Sequence, residues 1–243
     1  NLRLTELSGL TVEQTELPVR LEKTQTECVV QFPVQGRIRS PWRLGVRVAD
    51  PAGKLQLDLH PTTFRAVDDF ARWTAKSLGT AYQILPDGDA HVASTQTAEL
   101  AQPPEGPPVP GAAAIRVRYQ FDAGWKFVRL APRDNGVRTI EGQPQALRAW
   151  VYGDGSGNQL RLRVTDTTGQ TFQPGGLPLD WRGWRPVTVP LDAGHAGHWG
   201  GADDGVIHYP IRWDTLLLID SARREKTTGE VYLASPVLVY GGG

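Results

Sequence analysis

Two segments combine aromatic rings with strong hydrogen-bond donors. Every second residue of 147–152 (LRAWVY) and of 159–164 (QLRLRV) is apolar. The residues between the apolar ones are Arg148, Trp150, Tyr152, Gln159, Arg161 and Arg163. Because successive side chains of a strand point to opposite faces, the pattern predicts two β-strands with an apolar inner side and an aromatic, cationic outer side. A flat ring stacks on the C–H face of a pyranose, and guanidinium and amide groups hydrogen-bond hydroxyls, so this chemistry suits a sugar.

The segment 153–158 (GDGSGN) predicts a turn between these two strands, and we expect a hairpin. The outer sides of the two strands then form one patch on one sheet. Residues 125–130 (WKFVRL) alternate in the same way, with the aliphatic positions in the core. This segment adds three residues to the same outer face, Trp125, Phe127 and Arg129. The alternative is that Trp150 is covered by the N-terminal segment or by a loop, and serves packing alone.

Motifs of the common catalytic sites do not occur in the sequence, which contains no G-x-S-x-G, no H-E-x-x-H and no P-loop. The scattered glutamates show no pair of facing carboxyl groups of the kind that glycoside hydrolysis requires. A lyase on a jelly roll would use a cluster of Tyr, His and Arg, for which Tyr152, Arg161 and His208 are available. The sequence therefore favours binding over catalysis. A polysaccharide lyase or glycoside hydrolase is the alternative, and a structural domain without a ligand is the second alternative.

Residues 195–208 (HAGHWGGADDGVIH) contain three histidines and two aspartates. These residue types can hold a transition metal. The spacing is glycine-rich and lacks the i, i+4 pairing of a metalloenzyme helix. We therefore expect a loop beside the binding face and not a metal site.

Many short alternating segments are separated by turn residues. Strands are predicted at 42–48, 54–59, 114–121, 147–152, 159–164, 186–191, 215–220 and 231–240. This density of short strands is typical of an all-β fold, an antiparallel β-sandwich or jelly roll. We assign residues 63–243 to that sandwich and residues 1–62 to an additional small N-terminal β segment.

Composition narrows the classes of partner. The 243 residues carry 26 basic and 26 acidic side chains, so the net charge is zero and the basic excess of nucleic-acid binding proteins is missing. No apolar run is long enough to span a bilayer, and no membrane partner is expected. The single cysteine excludes an internal disulfide, and the lack of methionine predicts a removed targeting segment or a longer parent protein. Eight tryptophans are more than the core requires and point to contact surfaces.

Four segments carry a resemblance to a known family. They are Val67–Phe70 (VDDF), Trp150–Asn158 (WVYGDGSGN), Asp180–Trp184 (DWRGW) and Gly229–Leu233 (GEVYL). In this order they resemble the jelly-roll, galactose-binding-like carbohydrate-binding modules of bacterial polysaccharide-degrading enzymes. The resemblance implies a non-catalytic module that binds a polysaccharide or oligosaccharide. It also implies a catalytic domain in the same parent protein, and a secreted or cell-surface location in a bacterium.

The resemblance further implies a structural Ca²⁺ that ties the first strand to the last. Asp68 and Asp69 in the expected first strand are the candidate ligands, since Ca²⁺ is bound by carboxylate and carbonyl oxygens. The family pattern supplies an aspartate from the last strand, where this chain has residues 233–235 (LAS). Asp220 is the candidate substitute. The alternative is an ordinary solvated acidic turn.

Overall fold

The chain folds into two compact units. The computed structural model describes residues 1–8, 10–20, 30, 32–36, 41–50, 52, 56–67, 74–102, 105, 114–133 and 139–241. The smaller unit comprises Asn1–Ala66 together with the last residues of the chain from Leu238 onward, and the larger unit comprises Val67–Val237.

The smaller unit is built of short strands. They are β1 (Leu2–Leu7), β2 (Leu10–Val12), β3 (Glu16–Leu17), β4 (Val34–Gly36), β5 (Trp42–Ala49) and β6 (Gln56–Ala66). Strands β6, β5, β1 and β3 are neighbours in that order and antiparallel, while β2 pairs with β4. Trp42 stacks on Phe64 across the β5–β6 pair, with ring centroids 5.6 Å apart. The predicted N-terminal β segment is therefore present as a sheet.

The larger unit begins with one short helix, α1 (Ala75–Ala81), which Thr74 caps through a reciprocal pair of hydrogen bonds with Ser77. Thirteen strands follow. They are β7 (Tyr82–Gly88), β8 (Ser94–Ala101), β9 (Ala114–Phe121), β10 (Lys126–Pro132), β11 (Thr139–Ile140), β12 (Ala146–Asp154), β13 (Gln159–Thr165), β14 (Thr171–Pro174), β15 (Leu177–Pro178), β16 (Arg182–Pro190), β17 (Ala196–Trp199), β18 (Ile211–Asp220) and β19 (Thr227–Tyr240). A 3-10 turn, Ala193–His195, precedes β17.

These strands form two antiparallel sheets. The first sheet has the order β8-β9-β19-β12-β16, and the second has the order β17-β14-β13-β18-β10-β7. Strands β11 and β15 extend the second sheet by pairing with β18 and β13. The prediction of an all-β, antiparallel β-sandwich is confirmed, and each predicted strand overlaps an observed one.

The core lies between the sheets because one side of each strand is apolar. Along β12 the buried aliphatic side chains are those of Leu147, Ala149 and Val151, and along β13 those of Leu160, Leu162 and Val164. Burial of one such aliphatic side chain contributes roughly 1.5–3 kcal/mol, so the alternation fixes which side of each strand faces the core. Among the described residues, no helix is long and apolar enough to cross a membrane.

Candidate functional site

The predicted hairpin between β12 and β13 is wrong. Strand β12 belongs to the first sheet, where it pairs with β16, whereas β13 belongs to the second sheet, where it pairs with β18. The alternation along each strand is as predicted, but the two outer sides face away from each other. Trp150 and Tyr152 therefore lie on one side of the sandwich, while Gln159, Arg161 and Arg163 lie on the other.

The connection crosses between the sheets because its residues are anchored at the end of the sandwich. Gly155 and Gly157 adopt φ values of 69° and 74°, which glycine reaches without a steric cost. The Tyr119 hydroxyl donates a 2.6 Å hydrogen bond to Asp154 and accepts one of 3.1 Å from the Asn158 amide. Burial, followed by the charge of Asp154, raises the pKa of Tyr119, so its hydroxyl stays a donor. These contacts lead the chain into the second sheet.

The outer side of the second sheet is the candidate site, and we call it the arginine–tryptophan face. It carries Trp125, Phe127, Arg129, Gln159, Arg161, Arg163 and Trp199. Strand register places these residues in rows. Phe127 and Gln159 are both opposite Asp220, and Arg129 and Arg161 are both opposite Leu218. Leu218 is outward-facing by register yet buried, so the arginine stems on either side shield it from water.

Carboxylates from neighbouring strands lie beside each arginine of these rows. Arg161 Nε is 3.4 Å from Asp220 Oδ2. Arg129 lies between two aspartates, with Nε 3.7 Å from Asp87 and Nη1 3.6 Å from Asp214. These separations exceed the usual hydrogen-bond range of about 2.7–3.2 Å, so the pairs are charge contacts that leave hydrogen-bonding capacity unused.

The same rows contain buried polar atoms that make no hydrogen bond. Among the described residues, the buried side-chain atoms that lack a hydrogen bond are Arg129 Nε, Arg161 Nε and Asp220 Oδ1. Most buried polar atoms in proteins are hydrogen-bonded, so a cluster of exceptions calls for a functional or structural reason. Here all three exceptions lie on the arginine–tryptophan face.

Aromatic rings continue the face on both sides of Arg163. The Arg163 guanidinium carbon lies 5.0 Å from the centroid of Phe127 and 5.3 Å from that of Trp199, within cation–π range. Its Nε donates a 2.7 Å hydrogen bond to Gln173, and burial lowers the pKa of the guanidinium. Trp125 packs against Phe127 with centroids 5.6 Å apart. The outermost rings, Trp125 and Trp199, are 48% and 44% exposed, so flat aromatic surface remains free for a ligand.

A groove of about 260 Å³ adjoins Arg129 on this face. Its walls come from β7, β10, β13 and β18, and include Gln83, Thr165 and Asp214. Across the face, Arg129, Arg161, Arg163 and the groove-lining Arg212 lie among three carboxylates, those of Asp87, Asp214 and Asp220. The arrangement offers both hydrogen-bond donors and acceptors between two exposed rings.

The sequence-predicted residues separate into two groups. Gln159, Arg161, Arg163 and Trp125 lie on the arginine–tryptophan face, as do Phe127 and Arg129. Trp150 instead packs, partly buried, against Ala114, Tyr232 and Ala234 on the outer side of the first sheet. Tyr152 lies beside it, with its hydroxyl donating a 3.4 Å hydrogen bond to Glu105.

The described residues do not test the predicted calcium site. Asp68 and Asp69 lie outside the described residues, and Asp220 pairs with Arg161 on the arginine–tryptophan face. No group of three or more His, Cys, Asp or Glu side chains within the described part of the chain could hold a metal ion. The histidines of 195–208 form three separate pairs with aspartates, His195–Asp192, His198–Asp203 and His208–Asp204.

The residues of the lyase alternative do not assemble either. Tyr152 and Arg161 lie on opposite outer sides of the sandwich. His208 Nε2 is 2.9 Å from Asp204 in the loop before β18.

Sequence reasoning missed the acidic half of the site. Asp87 and Asp214 reach the face from β7 and β18, and Gln173 reaches it from β14. The available signal was the position of Asp214 and Asp220, which flank the strand segment 215–219 (TLLLI). Only the folded sheet shows that Asp214 lies beside Arg129 and Asp220 beside Arg161.

No protein-family model matches the chain. Among solved structures, the chain is similar to the family 11 carbohydrate-binding module of a cellulosomal cellulase of Clostridium thermocellum, with a TM-score of 0.47, 9% identity, and coverage of 72% of this chain and 93% of the module. For that module from the same organism in complex with a beta-1,3-1,4-mixed-linked tetrasaccharide, the TM-score is 0.46, the identity 10%, and the coverage 72% and 94%. Carbohydrate-binding modules are thus among the structures to which the chain is similar.

Among curated proteins, the chain is similar to a mannan endo-1,4-beta-mannosidase of Bifidobacterium adolescentis. The two are 31% identical over 84 residues, which is 35% of this chain. The chain spans 8% of the length of that enzyme.

Proposed function

We propose that the arginine–tryptophan face binds carbohydrate, and that the chain is a non-catalytic module that holds a polysaccharide-active enzyme on its glycan. The observation that carries the proposal is the series Trp125, Phe127, Arg163 and Trp199, in which two half-exposed rings flank a guanidinium already held in place. Sugar rings stack on such aromatic surfaces, and their hydroxyls take donors from arginine.

The mixture of arginines and aspartates on the face supports a neutral glycan as the ligand. Arg129 and Arg161 each have an aspartate nearby, so an anionic sugar there would gain attraction from one group and repulsion from its neighbour. Hydroxyl groups can both donate and accept, and therefore fit a face that offers guanidinium donors next to carboxylate acceptors. Mannan is the first glycan to test, because the curated relative from Bifidobacterium adolescentis is a mannan endo-1,4-beta-mannosidase.

The proposed partner in the parent protein is a catalytic domain, and the proposed location is outside a bacterial cell. A module bound to the same polymer as its enzyme raises the effective concentration of substrate. Detection of the native protein in culture medium, with the module still joined to a catalytic domain, tests both points.

The binding test compares variants of the two outer faces. Affinity electrophoresis in gels with mannan or mixed-linked β-glucan should show retardation of the native protein on at least one glycan. Arg161→Ala should weaken the retardation at least tenfold in affinity, since a hydrogen bond to a charged group contributes about 1.5–3 kcal/mol. The matched control is Arg148→Ala, an exposed arginine of the first sheet that contacts Thr188. Equal loss in both variants, or no retardation of the native protein, contradicts the proposal.

The second candidate function is hydrolysis, favoured by the likeness to a mannosidase. Incubation with mannan and mixed-linked β-glucan should release no reducing ends and no unsaturated products. Turnover above the background of a heat-denatured sample would replace the non-catalytic function with an enzymatic one.

A further inference from the structure

A second groove crosses the outer side of the first sheet. It has a volume of about 740 Å³, well above the groove beside Arg129. This volume lies within the range of about 300–1,000 Å³ that is typical of small-molecule sites. We call it the tyrosine groove after Tyr152, one of its lining residues.

Strand register explains the polar lining of the tyrosine groove. Thr97, Arg118 and Glu230 are aligned across β8, β9 and β19. On the neighbouring pair β12–β16, Tyr152 is opposite Trp184, and Asp154 is opposite Arg182. Threonine hydroxyls, guanidinium groups and carboxylates thus line one continuous depression.

The charged groups of the groove are held in place and balanced. Glu230 accepts hydrogen bonds from Arg118 at 2.7 Å and from the Tyr232 hydroxyl at 2.5 Å. Burial opposes ionisation of Glu230, but these hydrogen bonds hold its pKa below the ordinary value. Asp154 accepts from the Tyr119 hydroxyl at 2.6 Å and from the Ser156 backbone at 3.0 Å. Two arginines and two carboxylates leave the lining without net charge.

An aromatic ring stands at one end of the groove in a fixed orientation. The ring of Tyr152 is edge-on to Trp184 and to Tyr232, with both centroids 5.6 Å away. Edge-to-face packing on two sides leaves the half-buried Tyr152 ring little freedom, so a ligand would order it at low entropic cost.

We propose that the tyrosine groove is a second carbohydrate site, which takes a neutral oligosaccharide on the opposite side of the sandwich from the arginine–tryptophan face. This second site depends on the proposed function in one respect only, the assumption that the ligand is a carbohydrate. A balanced lining of hydroxyl, amide, guanidinium and carboxylate groups suits a neutral polyhydroxylated chain and disfavours an apolar or strongly charged one. A module with two such sites binds two stretches of glycan at once, which raises its avidity for a polymer.

The experiment follows the two sites separately in the full chain. β-1,4-linked mannohexaose and the mixed-linked β-1,3-1,4 tetrasaccharide are titrated into isotopically labelled protein, and backbone amide shifts are recorded. Thr97 and Glu230 report on the groove, and Arg161 and Leu218 report on the arginine–tryptophan face. Trp199→Ala should weaken the shifts of Arg161 and Leu218 and leave those of Thr97 and Glu230 unchanged. Arg182→Ala and the groove-filling Thr228→Lys should weaken the shifts of Thr97 and Glu230 instead, with at least about a tenfold loss of groove affinity.

Arg185→Ala is the matched control, because Arg185 lies on the same strand β16 but contacts Trp181 and Asp180 instead of the groove. Its titration should match that of the native protein. Shifts confined to the arginine–tryptophan face with both sugars overturn the second site and leave the proposed function standing. Shifts confined to the groove support the second site and overturn the first. No shift with either sugar contradicts both.

Discussion

Truncation of Trp199 is the sharpest test of the arginine–tryptophan face. Trp199 ends β17 at the edge of the second sheet, is 44% exposed, and packs its ring against the Arg163 guanidinium at 5.3 Å. The change Trp199→Ala removes an exposed stacking surface and one of the two rings that contact the Arg163 guanidinium. We expect a large loss of glycan affinity, together with a loss of stability that the fold tolerates.

The two losses can be estimated separately. An aromatic anchor in a binding surface contributes about 2 kcal/mol or more, which corresponds to a roughly 30-fold weaker Kd. The buried half of the Trp199 side chain covers roughly 100 Å², so its truncation costs up to about 2.5 kcal/mol of stability at about 25 cal/mol per Å². The lost cation–π contact adds about 0.5–1 kcal/mol. A domain with a free energy of unfolding of roughly 5–15 kcal/mol stays folded after such a loss, so binding can be measured on native protein.

The assay is isothermal titration calorimetry at 25 °C with whichever glycan retards the native protein, combined with a thermal melt of each variant. Val206→Ala is the control, since Val206 is 55% exposed in the loop that follows β17 and lies outside the proposed face. It should change neither the Kd nor the melting temperature appreciably. A Trp199→Ala variant that is folded and binds within twofold of the native protein would refute the role of this ring.

Three further predictions follow from individual side chains. Arg163→Lys keeps the charge but loses planar stacking on Phe127 and Trp199, so titration calorimetry should show about tenfold weaker binding, whereas Arg148→Lys should bind as the native protein does. The backbone N–H of Val206, with His208 and Gln170, holds the pKa of Asp204 at about 2. The stabilising contribution of the ionised Asp204 is present above the unfolded pKa of about 3.9 and is lost as the pH falls toward 2. In calorimetric melts, the melting temperature of Asp204→Asn should therefore fall less steeply with acid than that of the native protein. If Asp68 and Asp69 bind calcium, the native protein should melt at a higher temperature with excess Ca²⁺ than with chelator. Asp69→Ala should abolish this difference and Asp220→Asn should not. Identical melts of the native protein under the two conditions contradict the calcium site.

Local pattern was enough to predict the inner and outer sides of the strands. The alternation in 147–152 and 159–164 depends only on the period of a β-strand, and burial of Leu147, Val151 and Leu162 follows it. The fold class follows from the same signal repeated along the chain. No distant contact is needed for either conclusion.

The pairing of strands could not be predicted in the same way. The segment 153–158 has the composition of a hairpin turn, but its path is set by Tyr119, which is 35 residues from its hydrogen-bond partner Asp154. A contact over that distance leaves no local pattern. The predicted hairpin placed Trp150 and Tyr152 on the same face as the arginines, whereas the structure places them on the opposite outer side. The acidic partners were missed for the same reason, since Asp87 and Asp214 come near Arg129 only once β7 and β18 pair with β10.

The composition of the arginine–tryptophan face is costly for a protein that needs only to fold. Arg129 and Arg161 each have a buried Nε without a hydrogen bond, and leaving such a group unsatisfied costs about 1–3 kcal/mol. On the same face, Trp125 and Trp199 leave nearly half of their surface exposed to water. An aliphatic residue at either arginine position would remove the penalty and still cover Leu218. Local violations of the rules of stable packing concentrate at functional sites, and here they belong to side chains of the face on which the exposed rings of Trp125 and Trp199 also lie. The first sheet has no such orphaned atoms among its described side chains, because Glu230 and Asp154 are fully hydrogen-bonded. By this argument the arginine–tryptophan face should hold its glycan more tightly than the tyrosine groove does.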